Sequence, residues 1–235
     1  MKGIRFARVF SISAVLLTPA IGFRPHNVLA DSVPETVVRE SQTVKDFFLR
    51  LYANKKAAIE RKFKATYQGL VRQGLEDTEE NKQRTMIALF FHDLTKSDGV
   101  FGNVYSFDAY QGITPQTMLD AIFSSPPTRV YARCDRLEML FAGILKDVFG
   151  ISARVVLIFS NHTSTEVPLS NGYLILDNSF DVVEFSRTRA KDKPPADGKY
   201  SIRRANRLAT LDLSVVLDPQ GVERVERAVQ RYLAN

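Results

Sequence analysis

Apolar positions recur at helical spacing in the first half of the chain and at strand spacing further on. From about Val44 to Leu75, Phe48, Tyr52, Ile59, Phe63, Tyr67 and Leu70 fall on one stripe, with Lys and Arg dense on the other faces. That spacing predicts one long amphipathic helix, or two. Too few heptads are sustained for a coiled coil, so the helix is expected to cover a core. A second helix is predicted after Thr78, burying Met86, Ile87, Leu89, Phe90, Phe91 and Leu94. His92 lies inside it and is expected to be structural. Ser97 to Ile113, with Phe101, Tyr105, Phe107 and Tyr110, has no clean period and reads as a loop, either a substrate wall or a cap on the core. Thr114-Pro115 should start a helix running to about Phe123, with Thr as N-cap and Pro at the first position. Ser124-Ser125-Pro126-Pro127 breaks it.

The pattern then tightens. Leu137, Met139, Leu140, Phe141, Ile144, Leu145 and Val148 predict a buried amphipathic helix that opens at Cys134 and ends at Gly150. Three strands of an antiparallel meander are expected next: Ala153 to Phe159, Asn161 to Val167 and Gly172 to Asp177. Between the last two, a turn on Asn171-Gly172 would bury Pro168 inside the ladder and carry Asp177 away from His162. A loop over Pro168-Leu169-Ser170-Asn171 instead closes Val167 against Gly172 and sets His162 directly opposite Asp177, so that register is expected. Beyond Phe180 the pattern fades. Lys191 to Lys199 reads as a surface loop, Leu208 to Leu217 as a returning strand, and Asp218-Pro219 as the start of a terminal helix burying Val222, Val225, Val229 and Leu233. The class is α+β.

Composition changes this picture at the N-terminus. Lys2, Arg5 and Arg8 precede an apolar stretch from Val9 to Phe23, and Val28-Leu29-Ala30 reads as a small-residue cleavage site. Residues 1–30 are therefore expected to be a secretory signal peptide, too short and Pro-interrupted for a spanning helix. Removing it takes away four basic and no acidic residues, so the net charge of +6 falls to +2. The remaining positive charge is local: Arg187 to Arg207 holds eight Lys or Arg against two Asp, either a solvated loop or a face for a polyanion. Nucleic acid is not an expected partner of an exported chain.

One cysteine cannot form an internal disulfide, so Cys134 is a buried hydrophobe, a thiol for a partner, or a nucleophile. Its place at a helix N-terminus favours the thiolate, with Arg133 supporting and Asp135 opposing that pull. A helix bearing this thiol, packed on strands that carry His162 and then Asp177, supplies nucleophile, base and orienter. Zinc is not expected: His26 lies in the signal segment, and His92, His162 and one Cys form no ligand pair at known spacing. No cofactor is implied.

Cys134-Asp135 with its apolar helix, Gly150-Ile151-Ser152-Ala153-Arg154-Val155-Val156, His162 to Val167, and Gly172-Tyr173-Leu174-Ile175-Leu176-Asp177 together resemble the core of the transglutaminase-like superfamily. The resemblance covers roughly the middle quarter to third of the chain. It implies a papain-like fold, with Cys134 as nucleophile, His162 as base and Asp177 as orienter. Many relatives carry Gly two residues before the Cys and Trp two after the His, where this chain has Ala132 and Ser164. With no Trp anywhere, an aromatic wall must come from Tyr or Phe, or be absent. The expected organisation is a helical region over residues 31–113 and a catalytic core with a C-terminal helix over 114–235. The expected activity is acyl transfer through a thioester on a protein, peptide or glycoconjugate amide in a bacterial envelope. The Cys134 backbone N–H would meet the oxyanion, with Tyr131 or Gln111 as a second donor. The rival reading is a non-catalytic envelope-binding module on the same fold.

Overall fold

The computed structural model of the chain describes residues 42–94, 101–103, 113–123, 130–159, 162–180, 182–191 and 202–234. A short strand, β1 (Gln42–Thr43), leads into helix α1 (Val44–Arg72), which runs unbroken over the first apolar stripe. Thr43 caps it, its hydroxyl accepting from the Asp46 backbone N–H at 3.3 Å. Thr78 does the same for α2 (Glu79–Leu94), accepting from the Asn81 N–H at 3.2 Å. Strand β2 (Phe101–Asn103) lies in the stretch expected to be a loop, whose remaining aromatics Tyr105, Phe107 and Tyr110 fall outside the described residues. Helix α3 (Pro115–Phe123) begins with Pro at its first position, as its sequence suggests. Strand β3 (Val130–Ala132) pairs in parallel with β2 and leads through Arg133 into α4 (Cys134–Phe149).

Helix α4 is buried along nearly its whole length. Leu137, Leu140, Phe141, Ile144 and Leu145 join the main core with α1, α2 and α3, while Met139 and Ala142 pack toward the opposite side. Aromatic rings tie this side together: Phe91 meets Phe48, Phe90, Phe141 and Phe149 with centroids 4.8 to 5.9 Å apart, mostly edge to face. Such pairs contribute about 0.5–1.5 kcal/mol each beyond their buried area. Gly150 ends α4 in the left-handed conformation, φ 68°, and the Ile151 N–H turns back to the Leu145 carbonyl at 2.9 Å. This is the glycine helix stop.

Next comes a four-stranded antiparallel sheet in the order β4 (Arg154–Phe159), β5 (His162–Leu169), β6 (Gly172–Asp177), β7 (Val182–Ser186). Strand β7 carries no strong signal because its residues are only half buried or exposed. The expected strand over Leu208 to Leu217 is also replaced. Residues Ile202–Leu208 form helix α5, and only β8 (Val216–Leu217) pairs, with β1. The physical reason is the open edge of β4, which α5 covers. Asn206 donates its amide to the Val155 carbonyl at 3.1 Å and accepts the Val155 N–H at 2.8 Å, while Ala205 and Ala209 pack against Val155. Helix α6 (Pro219–Ala234) closes the chain, with Asp218 accepting from the Gly221 N–H.

The β5–β6 register differs from the expected one. A two-residue turn, Ser170-Asn171, closes Leu169 against Gly172 and pairs Pro168 with Tyr173. The cause lies outside the hairpin. Asn81 of α2 accepts the Ser170 N–H at 2.9 Å and donates to the Ser170 hydroxyl at 2.7 Å. Asn171 donates to the Gly74 carbonyl at 2.9 Å and accepts the Glu76 N–H at 3.1 Å. Pro168 fits inside the strand because its carbonyl accepts from Arg84 at 2.9 Å. The carbonyl and amide of one antiparallel residue point the same way, so its missing donor faces away from β6. On the other side, β4 pairs no further than Glu166.

Gly172 lets β7 approach: a Cβ there would overlap the Ser186 carbonyl oxygen and lie 2.7 Å from the Phe185 ring. Gly172→Ala is expected to lower stability by about 1–3 kcal/mol, as overpacking does. Urea denaturation checks this, and an unchanged midpoint would show that β7 is not held there.

Candidate active site

Cys134 is the first residue of α4, half buried, following Arg133 in extended conformation with φ −72° and ψ 161°. Arg133 makes no side-chain capping bond, and the first-turn N–H groups of a helix have no partner inside the helix. Asp135, placed to oppose a thiolate, is buried with Arg133 Nε at 3.5 Å and Arg136 Nε at 3.6 Å. Its charge is therefore shared between two guanidinium groups.

His162 opens β5. The β4–β5 register slips by one residue between Leu157 and Phe159, so His162 follows a bulge, a feature that twists a strand and re-aims its neighbours. Asp177 ends β6. Extending the observed register by one pair places Asp177 opposite Ser164, two residues from His162. The two side chains are diagonal on the same face, not directly opposite as expected, and they still meet: His162 Nε2 and Asp177 Oδ2 are 2.6 Å apart. The other carboxylate oxygen, Oδ1, accepts the backbone N–H groups of Ser179 at 2.9 Å and Phe180 at 3.1 Å. The same imidazole acts on the Cys134 thiol: His162 lowers the thiol and is itself raised by it.

These contacts set the protonation states. Burial pushes the Cys134 thiol up, but the neighbouring His162 and Thr163 outweigh it and leave the thiol below its ordinary value. Asp177, and then Cys134, push His162 up to about 10 against the effect of burial. Burial also pushes Asp177 up, and His162 with the two turn N–H groups more than offsets it. Each shift favours the charged form of its group, thiolate, imidazolium and carboxylate, over that of the isolated side chain.

Phe180, Thr163, Glu138 and Asn178 were not singled out from the sequence. Phe180 is 60% exposed and meets the His162 ring edge to face, centroids 4.9 Å apart. Thr163 flanks the thiol. Glu138 is fully buried one turn along α4 from Cys134 and bonds to Asn178, the residue after Asp177. A carboxylate four residues after the Cys, on a buried helix face, was a readable signal. His92 is buried and structural in placement, its Nδ1 2.8 Å from Asn178 Oδ1. Of the expected oxyanion donors, Gln111 lies outside the described residues, and Tyr131 is described only as backbone of β3. No protein-family model, curated protein or solved structure matches the chain. Its chemistry is therefore read from these side chains alone. Among the described residues no group of three or more His, Cys, Asp or Glu is placed to hold a metal ion.

Iodoacetamide is expected to label Cys134 at pH 6–6.5, about where an ordinary thiol is almost wholly protonated. His162→Ala should return the pH dependence of labelling to that of an ordinary thiol. Equal profiles for both proteins would mean that the imidazole does not activate the sulfur.

Proposed function

We propose that this chain is an exported, cysteine-dependent acyl-transfer enzyme on a papain-like core of transglutaminase-like type. The observation that carries the reading is the imidazole of His162, bound to Asp177 through Nε2 at 2.6 Å and raised further by its interaction with the Cys134 thiol. In this reading the Cys134 thiolate attacks an amide or ester carbonyl carbon, and the C=O electron pair moves to oxygen. The resulting oxyanion lies at the N-terminus of α4, where the Cys134 backbone N–H points outward. On collapse, the carbonyl re-forms, the bond to the leaving group breaks, and imidazolium His162 delivers its proton to that group. A thioester remains on Cys134.

In the second half, neutral His162 takes a proton from water or an amine, which attacks the thioester and releases the thiolate. Water gives hydrolysis and an amine gives transamidation. Asp177 keeps Nε2–H bound throughout, so the ring turns the same nitrogen toward sulfur in both halves. Phe180, exposed against the imidazole edge, forms the wall along which the acyl group lies. Export rests on the N-terminal pattern of residues 1–30, which lie outside the described residues. No helix among the described residues is long and apolar enough to cross a membrane.

Cys134→Ala and Cys134→Ser are expected to abolish acyl transfer while changing stability by less than about 1.5 kcal/mol, since a half-buried thiol contributes little packing. Asp177→Asn should keep part of the activity because it disturbs ring orientation and leaves the nucleophile. The assay is trapping of an acyl adduct on Cys134 from envelope material, read by mass spectrometry. A wild-type thiol that is activated yet never acylated would favour the binding-module reading. Cleavage after Ala30 is tested separately by sequencing the mature N-terminus, expected to be Asp31.

Stability adds a further test. In the Cys134→Ser background no thiol titrates, and the raised affinity of His162 for its proton comes chiefly from Asp177. A group whose folded value is raised stabilises fully below its unfolded value, about 6.5, and loses that contribution as pH rises toward the folded one. Melting temperature should therefore decline above about pH 6.5 in Cys134→Ser, and the decline should vanish when His162→Ala is added.

A further inference from the structure

One buried carboxyl has no part in the proposed chemistry. Glu138 is 0% exposed. Its Oε1 accepts the Asn178 backbone N–H at 3.1 Å, and its Oε2 accepts the Asn178 side-chain amide at 2.9 Å and lies 2.6 Å from Thr165 Oγ1. Asn178 in turn accepts from His92 Nδ1 of α2 at 2.8 Å. The residue between β6 and the exposed Phe180 is thus clamped between two helices. We propose that Glu138 is a positioning residue: acting through Asn178, it fixes the turn at residues 177–180 so that Asp177 meets His162 and Phe180 stands against the imidazole.

The geometry demands such an anchor. The His162–Asp177 bond spans a diagonal of the sheet, and at 2.6 Å it tolerates little displacement of either partner. Asp177 is the last residue of its strand, paired with Val182 of β7, and residues 178–180 lie beyond that last pair, outside the ladder. An apolar side chain at position 138 would bury without the desolvation cost of a carboxyl, but it would leave the Asn178 N–H and amide unpaired in the interior. Glu138 satisfies both and carries the position of α4, hence of Cys134, to the Asp177 turn.

The protonation of Glu138 fits this role. Burial pushes it up to about 8, against the bonds that Thr165 and Asn178 donate to it, and the Asp177 carboxylate pushes it the same way as burial. Asp177 at the end of β6 acts on it directly, His92 of α2 lies across Asn178, Cys134 stands one turn away on its own helix, and Thr165 of β5 bonds to it. A neutral Glu138 adds no second negative charge beside Asp177.

The inference rests on Cys134, His162 and Asp177 being the working site, and its test reads the imidazole, not turnover. In the full chain, NMR titration of His162 should show a value far above the ordinary one. Glu138→Met, similar in volume but unable to bond Asn178, should lower the proton affinity of His162 by at least about tenfold and slow Cys134 labelling at pH 6 to a similar degree. Glu138→Gln, whose amide can bond Asn178 and Thr165, should stay within about threefold of wild type. A merely structural glutamate would lower the melting temperature of Glu138→Met and leave the His162 titration unchanged, which overturns the proposal. Should Glu138→Met fail to fold, Asn178→Ala cuts the same link, and an unchanged His162 there overturns it equally. A wild-type His162 that titrates near its ordinary value also overturns it. High His162 affinity that depends on Glu138, without any acylation of Cys134, would sustain the positioning role and sink the proposed enzyme instead.

Discussion

Burial of α4 on nearly every side is the constraint from which the rest follows. The sheet lies against one flank, α1, α2 and α3 against another, and the segment after α5 against a third. A helix enclosed in this way has only its ends available for chemistry. Gly150 turns the C-terminal end straight into the buried Ile151 and the sheet. The N-terminal end carries Cys134, half exposed, with the positive end of the peptide dipoles behind it. This enclosed helix therefore presents the chain's one thiol at its accessible end, a support of the kind the proposed nucleophile requires.

The polar groups around that end share few protons, and their arrangement keeps charges apart. Asp177 is held as carboxylate by an imidazole and two backbone N–H groups. Glu138 is equally surrounded by donors, yet complete burial dominates and pushes its carboxyl up. Two acidic side chains close together are thus driven to opposite states, one charged toward His162 and one largely neutral inside the core. Low local dielectric makes both outcomes stronger than they would be at the surface.

Much of this was legible in the sequence. The stripes Phe48 to Leu70 and Leu137 to Val148 gave α1 and α4 because their apolar periods are long, and Thr43, Thr78 and Gly150 sit where caps belong. Strand Gly172–Asp177 matched its expected bounds. Strand β7 and helix α5 were not legible. Val182–Ser186 lies at a sheet edge and buries little, and the role of Asn206, closing the open edge of β4, exists only once the sheet does. The hairpin register failed for the same reason. Its turn chemistry is decided by Asn81, Gly74 and Glu76, about 90 residues away in sequence.

That register error moved His162 and Asp177 apart by two residues without separating their side chains, and parity explains why. Faces of a strand alternate with a period of two, so a two-residue shift preserves the face where a one-residue shift would not. The displacement also determines which nitrogen is engaged. Residues directly opposite have Cβ atoms about 5 Å apart, a spacing that suits a carboxylate bound to the near ring nitrogen, Nδ1. Diagonal residues are about 7–8 Å apart, a gap that an extended imidazole closes with its far nitrogen, Nε2. Nε2 is the atom found on Asp177, which leaves Nδ1, closer to the β5 backbone, outside that bond. The diagonal pairing is what allows one imidazole to serve a carboxylate on one side and the Cys134 sulfur on the other.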